Sequence, residues 1–199
     1  MIRAFHCIFG TYGFWLPNEP RGSWSTYVAS WELLRYGKAT TVSTRRSLAR
    51  KPFDPKLRKQ MRGSLKYEPV RFTGKQAVVV ARSFIETGYT IHAMVVMPEH
   101  VHLVIGYTDR PIRRVIDHLK TSATRGLREC GWFTDRTPWA AHGWNVFLNS
   151  DADVMRCVKY VEANPLREGK RPQRWSGVMS YQKRESASRA TRLNQFSPK

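Results

Sequence analysis

The sequence predicts an α+β domain whose strands and helices alternate in the order β-α-β-β-α-β, with one further helix after them. Short runs of aromatic and β-branched residues are typical of strands, and apolar residues at intervals of three to four positions are typical of helices. Both patterns occur, and they alternate along the chain. The chain has 199 residues, of which 41% are hydrophobic, so we expect one domain with a buried core.

The first half of the pattern is β-α-β-β. Residues 2–12 are rich in aromatic and β-branched types and lack proline, which predicts the first strand. Residues 75–87 carry apolar side chains at helical intervals and end before a glycine, which predicts a helix. Two apolar runs, 89–97 and 101–108, are separated by a Pro-Glu pair, and we expect them to form adjacent strands of one hairpin.

The second half supplies a helix, a strand and the additional helix. An apolar stripe from Pro111 to about Cys130 predicts a helix. Residues 146–148 form a short apolar run after a long loop, and we interpret them as the last strand. A helix over about 152–163 follows, and an Asn-Pro pair is expected to stop it. This order is that of a ferredoxin-like fold with a central antiparallel sheet.

Basic residues outnumber acidic ones by 34 to 15, which gives a formal net charge of +19. A field of this sign favours nucleic acid as the partner, with membrane surfaces second. No apolar run has the length of a transmembrane helix, so we expect a soluble protein of the cytoplasm without a membrane partner. The charge predicts a class of partner and leaves the reaction open.

The basic residues are concentrated in two segments. One is an insertion at about 35–72, with short helices expected near 28–36 and 54–62. The other is the end of the chain. We therefore predict a single domain over residues 1–169 and a basic, partly disordered tail over residues 170–199.

The sharpest local feature is the pair His100 and His102, at the start of an apolar strand. Side chains two positions apart in a strand project from the same face, so the two imidazoles stand together. Two neutral imidazoles at this spacing can bind one divalent metal ion. The alternative is a pair of ordinary surface or core histidines, and at this point the two interpretations are about equal.

A second feature is Tyr160, followed four positions later by Asn164 in the last predicted helix. Residues four apart lie on one helical face, so the hydroxyl and the amide can address the same site. An asparagine offers a carbonyl oxygen to a metal, and a tyrosine hydroxyl can attack a phosphate that a metal holds before it. Taken alone, each residue also suits a plain structural role, as a packed aromatic and a helix terminator.

Together these residues resemble the single-tyrosine HUH transposases, particularly the REP-associated tyrosine transposases. The resemblance covers most of residues 1–182, and the basic insertion is its least certain part, because compact members of the family do not have it. The matching segments are Phe9-Gly-Thr-Tyr-Gly-Phe-Trp15-Leu-Pro with Arg21-Gly-Ser, Met97-Pro-Glu-His-Val-His-Leu-Val, Leu119-Lys-Thr-Ser-Ala-Thr-Arg, and Tyr160-Val-Glu-Ala-Asn-Pro-Leu-Arg-Glu-Gly169.

The resemblance implies the metal site and the nucleophile. His100, His102 and Asn164 would match the ligands of a divalent ion, Mg²⁺ or Mn²⁺. Tyr160 would match the residue that attacks a DNA phosphodiester, releasing a 3′-hydroxyl and leaving a 5′-phosphotyrosine bond. Rejoining would be the reverse attack, and it needs no nucleotide cofactor.

The resemblance also implies the partners. They would be single-stranded or hairpin DNA, at the nucleoid of a bacterial cell, with the protein acting as a monomer or a homodimer. Four basic residues are candidate DNA contacts: Lys120, Arg125, Arg171 and Arg174. For Lys120, which matches a basic residue on the helix after the histidine strand, a solvated helix face is nearly as good an interpretation.

The preferred function is therefore a metal-dependent transposase and single-strand DNA endonuclease. The main alternative is a non-catalytic nucleic-acid-binding protein on the same fold. The presence of the whole set is evidence against this alternative: His100, His102, Tyr160 and Asn164. A weaker alternative is an RNA-binding domain of the RRM type. That domain needs aromatic residues in its central strands, where this sequence has the two histidines.

Overall fold

In the computed structural model, which describes residues 1–17, 31–37 and 54–182, four strands and five helices follow one another along the chain. They are β1 (Ala4–Thr11), α1 (Trp31–Leu34), α2 (Pro55–Gly63), α3 (Gly74–Ile85), β2 (Ile91–Val96), β3 (His100–Gly106), α4 (Ile112–Glu129), β4 (Trp139–Leu148) and α5 (Asp151–Arg167). None of the helices within these residues is long and apolar enough to cross a membrane.

The strands form one antiparallel sheet in the spatial order β2-β3-β1-β4. This is the strand order of the predicted ferredoxin-like fold, and it places β1 and β3 in the centre. Their register sets Ile8 opposite His102 and Gly10 opposite His100. The prediction of the fold class and of the β-α-β-β-α-β order is confirmed.

The helices cover both faces of the sheet. α3 and α4 pack on one face, against Phe9 and Leu103, and this face holds the larger apolar core. α5 packs on the other face through a smaller apolar cluster that includes Val104 and Val161. The side chains of β1 and β3 alternate between the two faces, as strand geometry requires.

The last strand begins earlier than predicted. β4 starts at Trp139, whereas the sequence pattern indicated a strand only at residues 146–148. Its ladder with β1 runs from Leu148 back to Trp139 with one irregularity. Most of its other side chains are exposed or half-buried, so the apolar alternation that marks a strand is weak here. The bounds of β4 are therefore set by its pairing with β1 and not by its composition.

The last helix ends later than predicted. α5 continues through Asn164 and Pro165 to Arg167. A proline inside a helix removes one backbone N–H, which weakens the helix without forcing it to end. Asn164 and Pro165 are both buried, so the packing of this turn holds the helix together.

The chain after α5 continues along the edge strand β2. The Gln173 side chain donates to the carbonyl of Val96 at 2.9 Å and accepts from its N–H at 2.8 Å. The N–H of Met179 donates to the carbonyl of Ile91 at 2.8 Å. Residues 170–182 are therefore packed against the domain, while the rest of the predicted tail, 183–199, lies outside the described residues.

The described parts of the insertion are attached to the end of β1. Leu33 of α1 and Met61 of α2 are buried against Leu16 in a small cluster of their own. The Thr11 hydroxyl, at the end of β1, donates to the carbonyl of Val70 at 2.7 Å. The predicted helices near 28–36 and 54–62 correspond to α1 and α2, and residues 28–30 and 38–53 lie outside the described residues.

Candidate active site

Three histidines lie on the face of the sheet that α5 covers. His100 and His102 project from β3, and His6 projects from the neighbouring strand β1. All three side chains are buried. Polar rings in such a position need partners, and His6 and His102 lie within hydrogen-bonding distance of each other.

His102 is the centre of the cluster. Its Nδ1 lies 3.2 Å from Nε2 of His6, and the two rings are stacked with centroids 5.4 Å apart. Its Nε2 lies 3.3 Å from Nδ2 of Asn164. Burial lowers the pKa of His6 to about 4, and burial followed by the charges of His100 and His6 lowers the pKa of His102 well below its usual value. Both rings are therefore neutral, the form in which an imidazole can donate a lone pair.

α5 presents a line of functional side chains to this cluster. Tyr160 and Asn164 are one helical turn apart, and Asn164 is buried beside His102. The Tyr160 ring meets the rings of His6 and His102 edge-on, with both centroid separations 5.8 Å. Tyr160 is 38% exposed, so an incoming substrate can reach it. The Arg167 guanidinium lies 4.9 Å from the centroid of the Tyr160 ring.

The next turn of the same face adds a carboxylate that sequence reasoning missed. Glu168, which caps α5, places Oε1 3.7 Å from Nε2 of His100 and Oε2 2.9 Å from Nζ of Lys170. The signal was present in the sequence, because Glu168 follows Asn164 by the same four positions that separate Asn164 from Tyr160. The predicted end of the helix at Asn164 hid that relation.

The other side of His100 is covered by an aromatic ring. Phe14 stacks on His100 with centroids 5.0 Å apart and planes 12° from parallel, and Trp15 packs against Phe14. This turn folds back over Gly10, where a Cβ would lie 3.0 Å from Phe14 and 3.2 Å from Trp15. A glycine opposite His100 therefore lets the two aromatic residues close over the site.

The residues present fit a divalent ion. Side-chain amide oxygen and nitrogen are assigned from hydrogen bonding, so the Asn164 atom beside His102 Nε2 can equally be Oδ1. A separation of 3.3 Å suits neighbouring ligands of an octahedral ion, whose bonds are about 2.0–2.1 Å for Mg²⁺. Within the described ranges no three His, Cys, Asp or Glu side chains form a metal cluster. The candidate set joins the histidine pair to the amide of Asn164.

The predicted DNA contacts are not gathered at this site. Lys120 lies on the α4 face, where its Nζ donates to the carbonyls of Ala140 at 2.8 Å and His142 at 3.2 Å. Burial lowers the pKa of Lys120 to about 8, with the Asp117 carboxylate opposing the shift. Its ammonium therefore binds two carbonyls of β4, and its buried position is not a solvated helix face. Its role in DNA binding stays a prediction.

Three arginines complete the predicted set. Arg125 is exposed on α4, in the cleft between α3 and α4, away from the histidine face. Arg171 and Arg174 are exposed in the segment that follows α5. The role of these three side chains in DNA binding stays a prediction.

The sequence matches no family model and no curated protein. Among solved structures, the chain is similar to a REP-associated tyrosine transposase bound to a REP hairpin, with a TM-score of 0.42 and 21% identity over 53% of this chain and 64% of that chain. It is also similar to a candidate transposase from Deinococcus radiodurans R1, with a TM-score of 0.38 and 12% identity over 81% of this chain and 91% of that chain.

Proposed function

We propose that the chain is a metal-dependent transposase that cleaves and rejoins single-stranded DNA through Tyr160. One observation carries the proposal: α5 brings a half-exposed tyrosine and a buried asparagine onto the buried histidine pair His100 and His102. This combines a nucleophile with donors for a divalent ion. The strongly basic composition supplies the attraction for a polyanionic substrate.

In the forward reaction the Tyr160 hydroxyl attacks the phosphorus of a phosphodiester. The bond from phosphorus to the 3′-oxygen breaks, the released 3′-hydroxyl takes up a proton, and the hydroxyl proton of the tyrosine is lost. The enzyme is left with a 5′-phosphotyrosine bond. Attack by a 3′-hydroxyl on that bond reverses the same steps and rejoins a strand, so no external energy source is required.

The remaining residues orient these groups. His100, His102 and Asn164 would hold Mg²⁺ or Mn²⁺, which when bound acts as a Lewis acid on the phosphate oxygens. His6 contacts Nδ1 of His102 and so fixes the orientation of that ring. Nε2 of His102 is then directed towards Asn164. Arg167 places a positive charge over the Tyr160 ring, where a phosphate arrives.

The test is the formation of a covalent adduct. Wild type and Tyr160→Phe are incubated with end-labelled single-stranded hairpin oligonucleotides from the DNA that flanks the gene, in Mg²⁺, Mn²⁺ or EDTA. Denaturing gels should show a protein–DNA adduct that needs the metal and is absent in Tyr160→Phe. Tight, salt-sensitive binding of these oligonucleotides without an adduct would instead establish a non-catalytic DNA-binding protein.

A further inference from the structure

A cleft of about 560 Å³ lies between α2 and the turn that joins β2 to β3. It is lined by four basic side chains and one carboxylate, a formal surplus of three positive charges: Arg58, Lys59, Arg62, Arg71 and Glu99. Lys59, Arg62 and Arg71 are exposed. We call it the basic cleft.

The basic cleft adjoins the candidate active site. Glu99 directly precedes His100, and its Oε1 accepts from Arg71 at 2.5 Å. The backbone carbonyl of Glu99 accepts from the Thr11 hydroxyl at 3.0 Å and from the Thr11 N–H at 2.9 Å. The wall of the cleft and the start of the histidine strand are therefore parts of one hydrogen-bonded turn. Arg71 also neutralises the one carboxylate that would repel a phosphate there.

α2 is held in place independently of its basic side chains. Asp54 caps its first turn, accepting from the N–H groups of Lys56 and Leu57 at 2.8 and 3.2 Å. Leu57 and Met61 pack in the small apolar cluster with Leu33. The basic residues are thus carried on the other side of a helix whose position is fixed.

A second cleft shows that the positive charge is not spread evenly. It has about 320 Å³, lies between α3 and α4, and is lined by two arginines and two glutamates: Arg82, Arg125, Glu86 and Glu129. Its charges balance, and it lies on the face of the sheet opposite the histidines. Of these two clefts, only the basic cleft has a surplus of positive charge.

We propose that the basic cleft binds the phosphate backbone of the DNA strand that reaches Tyr160, on the side of the scissile phosphate next to the β2–β3 turn. The proposal rests on the proposed function and assigns a role to the insertion. Arginine and lysine side chains in a groove match the regular charge spacing of a single strand, whose binding is governed by the release of counterions.

The experiment removes two exposed charges from the cleft and compares them with two exposed charges elsewhere. Lys59→Gln/Arg62→Gln is the cleft variant, and Arg113→Gln/Arg114→Gln on α4 is the matched control. Lys59→Arg/Arg62→Lys keeps the charge at the cleft. Affinity is measured on single-stranded oligonucleotides that carry the cleavage site and are extended on one side or the other, over a series of salt concentrations.

We expect the cleft variant to bind on the order of tenfold more weakly at low salt. The slope of log K against log salt should be shallower by about 1.4, because each of the two lost phosphate contacts to a single strand contributes about 0.7. Extension on one side of the site should strengthen binding of wild type and not of the cleft variant. The control and the charge-preserving variant should bind as wild type, and the control should form the adduct as wild type does.

The outcomes separate the two proposals. If wild type forms the adduct but the cleft variant keeps the affinity and salt slope of the α4 control, the cleft does not bind DNA and the proposed function stands. If wild type forms no adduct, the proposed function fails whatever the cleft variant does. Circular dichroism and melting temperature establish that both double variants are folded.

Discussion

On one face of β3, Val101, Leu103 and Ile105 are buried under α3 and α4; on the other, His100 and His102 are buried under α5 and Phe14. The same strand thus contributes apolar packing on one side and the residues of the proposed active site on the other. Apolar burial stabilises a fold, whereas burial of polar rings costs free energy unless they have partners. The histidine face recovers part of that cost through the contacts of His102 with His6 and Asn164.

From this difference we expect that stability and the proposed activity can be changed separately on this sheet. On the α3/α4 face a substitution opens a cavity in a close-packed core. On the histidine face a substitution removes a side chain of the proposed active site beside an exposed surface. Three experiments on variants distinguish the two faces.

The largest effect on stability is expected at Leu103, which is completely buried. Leu103→Ala should lower the free energy of unfolding by about 2–5 kcal/mol, because a large side chain is lost from a core that cannot collapse fully. Tyr160→Phe, on a half-exposed residue of the other face, should change it by less than about 0.5 kcal/mol. Urea denaturation measures both, and comparable losses would contradict the division of roles.

The histidine face should also give the domain an acid-sensitive stability. Burial lowers the pKa of His6 from 6.5 to about 4, so between these values the unfolded chain binds the proton more readily than the folded one. The contribution of His6 is constant above pH 6.5 and is lost as the pH falls towards 4, by up to about 3 kcal/mol. In His6→Gln the free energy of unfolding should vary less steeply over this window, and equal slopes would refute the assignment.

The smallest effect on stability is expected where α3 packs against α4. A Cβ at Gly126 of α4 would lie 2.5 Å from the Oγ of Ser83 on α3, so the two helices approach closely there. Gly126→Ala should destabilise the domain by a net of about 1 kcal/mol, since overpacking outweighs the gain in helix propensity. Gly63→Ala in α2 is the control, because its Cβ meets no atom within 4 Å, and thermal melting should show it as neutral or stabilising.

Sequence periodicity correctly predicted those elements whose position depends on the spacing of their own side chains. The histidine pair, the Tyr160–Asn164 face and the helix ending near Cys130 follow from spacing alone. The start of β4 at Trp139 and the continuation of α5 past Pro165 depend on partners elsewhere in the fold. The contacts of His6 and Phe14 with the histidine pair are long-range, and only the sheet register and the turn over Gly10 bring them there.

The segment after α5 has a consequence for the behaviour of the chain in solution. Through Gln173 and Met179 it occupies backbone groups of Ile91 and Val96 on the edge strand β2. An uncovered edge strand is a template for pairing with a second chain. A truncation after Gly169, a natural choice for isolating the domain, would expose that edge, so self-association would accompany any loss of DNA binding. The segment after α5 would then protect the domain against aggregation.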